Sequence, residues 1–115
     1  MIVGAAAVEI RIHGSRSLKE KRGVVRSITQ RLRNRFNLAV SEVGGQDRWQ
    51  TALLGLAAAG AEPVPIRRVL EKAVEFIEGL HLAEVTHSDI EIIRLPYVAA
   101  DDELEEGFGD AAEEE

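Results

Sequence analysis

Three histidines and a set of carboxylates are the residues in this sequence that could support catalysis or metal binding. His13, His81 and His87 are the only histidines, and cysteine is absent, which excludes thiolate catalysis and cysteine-type zinc sites. His87 and Asp89 would share a strand face, but no third ligand follows at a spacing typical of a metal site. Surface or capping roles explain the histidines better. The sequence therefore predicts no enzyme: no catalytic residue, no metal site and no cofactor.

The Lys and Arg residues give a stronger indication of function than the histidines, because nine of the fourteen fall between positions 11 and 35. At 100° per residue, four of them would lie within about 60° of one another on a helix. Those four are Lys19, Arg22, Arg26 and Arg33. Lys21 would fall among the apolar residues, where a cation is expected only if it reaches solvent at the helix end or serves a site. We therefore predict a polyanion contact formed by Lys19, Lys21, Arg22, Arg26 and Arg33; a merely solvated surface is the alternative.

A helix must position these cations, and its start signal is visible. Ser17 and Glu20 have the S-x-x-E spacing of a capping box. From there Val25, Ile28 and Leu32 recur at helical period and form a side that must be buried. The spacing predicts a helix over 18–35.

The other elements are predicted from the spacing of apolar residues and from the positions of proline, glycine and turn residues. Pro65 at a first helical position and Gly79 after a wide apolar face predict a second helix between them. A turn cluster at 44–47 predicts a hairpin, whose register is open because both faces of its second strand are apolar; we favour the face of Leu54 and Leu56 as core. Strands are predicted over 2–12, 36–43, 48–59 and 84–95.

The element order is β-α-β-β-α-β, which predicts a ferredoxin-like α+β fold with both helices on one face of a four-stranded antiparallel sheet. The other sheet face would be uncovered yet rich in small and apolar residues, and so is expected to meet a partner. For Trp49, core or interface packing is favoured over base stacking, because the aromatic partners of a stacking platform are missing. The interface prediction comprises Glu9, Arg11, Trp49, Thr51 and Leu53, with Ala5 and Ala7 on the same face.

Charge divides the chain into two parts. The net charge is −6, but residues 101–115 hold nine acidic and no basic residues, whereas residues 1–100 carry 14 Lys and Arg against 11 Asp and Glu. We expect a single domain over 1–98 and an acidic, disordered tail over 99–115. Such a tail would compete with phosphate for the basic helix. The sequence has no signal-peptide pattern and no apolar run of membrane-spanning length, so a cytoplasmic protein is expected.

Two motifs occurring together carry a family resemblance. S-L-K-E-K-R at 17–22 and Q-D-R-W-Q at 46–50, together with the N-terminal M-I-V-G, resemble the YlxP-like family of small bacterial proteins of unknown function. The resemblance covers about residues 1–95. Its motif positions map onto Ser17, Leu18, Lys19, Lys21, Arg22, Gln46, Asp47, Trp49 and Gln50.

The resemblance implies the ferredoxin-like fold, and it carries no established activity. Because genes of this family commonly sit among those for translation initiation and ribosome maturation, it also implies a link to RNA or the ribosome. Two functions are therefore carried forward: a binding module for structured RNA or a ribosomal particle, and a protein-interaction or homodimer domain that uses the open sheet face.

Overall fold

The structure, a computed structural model, describes residues 1–96. Four strands form one antiparallel sheet in the order β2-β3-β1-β4, and two helices pack on one of its faces. The fold is ferredoxin-like α+β, as predicted. The expected tail, 99–115, lies outside the described residues. The elements are β1 (Ile2–Arg11), α1 (Leu18–Arg35), β2 (Ala39–Gly44), β3 (Thr51–Gly60), α2 (Pro63–Leu80) and β4 (Glu84–Arg94).

The core lies between the sheet and the helices. Every second residue of β1 is buried, and Val8 pairs with Leu54 of β3, both without exposed surface. Leu56 is also buried, so the prediction that the face of Leu54 and Leu56 points to the core is confirmed. The helices add Ile28 and Leu32 from α1, and Leu70 and Ile77 from α2.

α1 begins where its capping signal predicts. The Glu20 amide donates to Ser17 Oγ at 3.1 Å, which satisfies one of the amides left unpaired at a helix start. The Glu20 carboxylate accepts from the Arg16 amide at 2.7 Å, one residue earlier than in a standard capping box. Phe36 ends the helix, and its ring packs edge-on against Phe76 of α2 with centroids 5.6 Å apart.

Both ends of α2 differ from the prediction. The helix begins at Pro63 rather than Pro65, because amides of the first turn have no acceptor within the helix and a proline costs little there. It ends at Leu80, and His81 rather than Gly79 takes the left-handed position, with φ 56°. Neither of the two helices in the described chain has the length and apolar content needed to cross a membrane.

The hairpin strands are shorter than predicted. β2 starts at Ala39 instead of Phe36, because Phe36 is used to end α1. β3 starts at Thr51 instead of Arg48, and the connection 45–50 is longer than the predicted turn. Its first residue, Gly45, has φ 75°, a conformation that glycine adopts without strain. The residues of this connection therefore lie at one end of the sheet, close to the start of α1.

Candidate nucleic-acid interface

Four exposed cations follow one side of α1, and we call them the basic stripe: Lys19, Arg22, Arg26 and Arg33. The helix is continuous from Leu18 to Arg35, so helical spacing applies to all four. Within residues 1–96, no carboxylate lies within 4 Å of any of them. Cations that have no carboxylate partner reinforce one another's positive potential. The stripe can therefore accept an anionic ligand without first breaking an ion pair with the described domain.

Arg33 fixes one end of the basic stripe against the sheet. Its Nη2 donates to the Val40 carbonyl at 2.6 Å. Val40 belongs to β2, which is an edge strand of the sheet. A guanidinium has five N–H donors, so this bond leaves others free for phosphate oxygens. The stripe thus runs from the first turn of α1 to the sheet edge.

Lys21 does not belong to this surface, and its predicted role as a phosphate contact is wrong. The residue is 1% exposed. Its Nζ lies 2.9 Å from Glu42 Oε2 on β2 and donates to the Gly45 carbonyl. The contact with Glu42 is an ion pair and lacks the angles of a good hydrogen bond. Lys21 therefore joins α1 to the end of β2 from inside the domain.

A second contact joins the same two parts of the chain. Gln50 Nε2 donates to the Ser15 carbonyl at 3.1 Å, and the Gln50 carbonyl accepts from the Ile12 amide at 2.8 Å. Ser15 is buried just before the N-cap of α1, and its hydroxyl donates to the Ser17 carbonyl. The connection 45–50 is therefore held against the start of α1. Sequence reasoning missed this contact.

Trp49 lies in that connection and not in β3, so its predicted place on the sheet face is wrong. Its side chain is 55% exposed, which also excludes a core role. The other four predicted interface residues do lie together. Glu9 pairs with Leu53 and Arg11 pairs with Thr51 across β1 and β3 on the uncovered face.

The uncovered sheet face forms a shallow groove of about 780 Å³. Small residues of three strands make its floor, among them Ala5, Ala7, Gly55 and Ala57. Asp89 and Glu91 of β4 line one side. Carboxylates at the border repel phosphate, so this face is a poor surface for nucleic acid and a better one for protein.

All three histidines are exposed at the surface of the described domain. His87 and Asp89 share a strand face, as predicted, with 2.9 Å between His87 Nε2 and Asp89 Oδ2. His13 Nε2 lies 2.7 Å from Glu84 Oε1, and both side chains are more than half exposed. In the part of the chain that the structure describes, no three acidic or histidine side chains are grouped to hold a metal ion.

The fold and these surfaces define a small α+β ferredoxin-like domain with one basic helix face and one uncovered sheet face. The family model described as "Protein of unknown function (DUF503)" matches residues 3–90. Over 85 residues the chain is 38% identical to the uncharacterized protein YlxP of Bacillus subtilis (strain 168), covering 74% of this chain and 92% of YlxP. The chain belongs to this YlxP-like family.

Two solved structures are similar to the chain at low sequence identity. A de novo designed protein, Foldit4, is similar with a TM-score of 0.46 and 11% identity, covering 83% of this chain and 98% of its own. The cofactor-independent oxygenase SnoaB from Streptomyces nogalater is similar with a TM-score of 0.45 and 10% identity, covering 86% of this chain and 98% of SnoaB.

Proposed function

We propose that this protein is a non-enzymatic binding module that associates in the cytoplasm with structured RNA or a ribosomal particle. The observation that carries the proposal is the basic stripe, whose cations are exposed on one side of α1 and unpaired within residues 1–96. Contacts between such cations and phosphates release condensed counterions, which is the main source of affinity for nucleic acid.

The distribution of charge over the described domain favours α1 over other surfaces. The exposed side of α2 carries three cations and three carboxylates, and the uncovered sheet face has a carboxylate border. Lys72, for example, follows Glu71 directly, which lowers the local positive potential. An RNA approaching the domain is therefore attracted most strongly to the basic stripe.

A pull-down from bacterial extract tests this function directly. Tagged full-length protein should retain RNA well above bare beads, and ribonuclease should release that RNA while deoxyribonuclease should not. Ribonuclease cuts the phosphate backbone that supplies the contacts, so the fragments should leave the protein. Recovery of no more RNA than on bare beads would contradict the proposal.

A second candidate function is self-association of two copies through the uncovered sheet face. The floor of small side chains supports it, since two sheets can approach closely there, and the acidic border favours a protein over RNA. Under this alternative, Ala57→Arg in the middle of the groove should convert a dimer to a monomer in light scattering. Ala61→Arg, on the exposed loop after β3, is the matched control and should leave the dimer intact. A wild-type protein that is monomeric at high concentration would exclude self-association.

A further inference from the structure

Trp49 is a large apolar side chain that the fold leaves in water. It is the only tryptophan of the chain, it is 55% exposed, and it lies in the connection 45–50 between β2 and β3. Exposure of an indole to water is unfavourable in free energy, because the ring has a large apolar area. A flat ligand that covers the ring would recover this free energy.

The backbone on both sides of Trp49 is hydrogen-bonded to the rest of the domain, so the indole extends from an ordered segment. Before it, the Arg48 amide donates to the Gly45 carbonyl at 3.1 Å, and the same carbonyl accepts from the buried Lys21. After it, Gln50 donates to Ser15 and accepts from Ile12. Binding to a segment that is already ordered costs less conformational entropy than binding to a loose loop.

The same contacts place Trp49 at the end of the domain where the basic stripe begins. Ser15 is followed by Arg16, then by the N-cap Ser17 and by Lys19 in the first turn of α1. The acidic residue of the first helix turn, Glu20, already accepts from the Arg16 amide.

The charged residues of the same connection indicate where a phosphate would bind. Arg48 precedes Trp49 and is exposed. Asp47, also exposed in this connection, repels phosphate. Glu42 is already paired with Lys21. A phosphate next to the stacked base is therefore expected at Arg48.

We propose that Trp49 stacks on an unpaired nucleobase of RNA, while the adjoining phosphate contacts Arg48 and the strand continues towards the basic stripe of α1. This inference rests on the proposed function and adds the class of RNA: single-stranded segments or loops, because bases inside a duplex are already stacked and cannot cover the indole. Every base has a stacking face, so little preference among sequences is expected at this position.

Tryptophan fluorescence tests the proposal, since Trp49 is the only source of the signal. A short oligouridylate should quench the emission saturably, whereas an RNA duplex of equal length should quench it far less. The affinity of end-labelled oligouridylate, measured by anisotropy, should fall roughly tenfold in Trp49→Ala and stay within about twofold in Trp49→Phe, which keeps an aromatic face. Val64→Ala, at an exposed apolar residue of α2, is the control and should change nothing.

The outcomes separate this inference from the proposed function. If the protein binds RNA with no quenching and Trp49→Ala binds as tightly as the wild type, stacking is overturned while the basic stripe stands. If neither oligouridylate nor duplex binds, and the pull-down recovers no RNA, the proposed function fails and the stacking site fails with it. Circular dichroism of each variant shows that the fold is retained, as expected for an exposed side chain.

Discussion

Replacing Lys21 by Met should lower the free energy of unfolding by about 3 kcal/mol. Methionine keeps most of the aliphatic stem but removes the ammonium group. The mostly buried Glu42 carboxylate then loses its counter-charge, and the Gly45 carbonyl loses a donor. Leaving one member of a buried pair uncompensated is costlier than removing both. A denaturant titration should show a lower midpoint with an unchanged slope.

Two further variants isolate the cause of that loss. Lys19→Met, two residues away but exposed, should unfold within about 0.5 kcal/mol of the wild type. The double variant Lys21→Met with Glu42→Met should recover most of the stability, because an apolar pair avoids the buried charge. A Lys21→Met protein as stable as Lys19→Met would show that the ion pair does not hold α1 to β2.

Neutralising Arg22 and Arg26 together, as Arg22→Gln with Arg26→Gln, should weaken RNA binding on the order of tenfold at 0.1 M salt, because two phosphate contacts and their counterion release are lost. The loss should be similar for RNAs of different sequence, since phosphate contacts position a nucleic acid without reading its bases. Filter binding or anisotropy with two unrelated RNAs measures both effects.

The matched control lies on the other helix. Arg67→Gln with Arg68→Gln removes the same net charge from α2, and both residues are exposed. If attraction depends on the basic stripe, this variant should bind nearly as well as the wild type. Equal losses of RNA affinity in the two double variants would mean that only the overall charge of the protein matters.

The fold was predictable because its signals are local. Alternation along β1, the capping residues Ser17 and Glu20, and the turn before β3 each depend on neighbours in the sequence, and together they define the element order. The boundaries were less predictable. The left-handed residue after α2 is His81 and not Gly79, since the exact end of a helix is specified less strongly by local sequence than its interior.

Of the candidate site, only the basic stripe was predictable from the sequence. Helical geometry places Lys19, Arg22 and Arg26 on one side from spacing alone. Whether Lys21 reaches water or an acid inside the domain depends on Glu42, whose position is set by the sheet and not by α1. The contact of Gln50 with Ser15 crosses 35 positions in the chain, and no local period reveals it.

The most direct test of the basic stripe is the salt dependence of RNA affinity, measured side by side for the wild type, the Arg22 and Arg26 double variant and the α2 control. For single-stranded RNA, the logarithm of affinity should fall with the logarithm of salt concentration at a slope of roughly 0.7 per phosphate contacted. The double variant should reduce that slope by about one to two units, and the α2 control should leave it unchanged. An unchanged slope and affinity in the double variant would show that the stripe is only a solvated surface, and would contradict the proposed function.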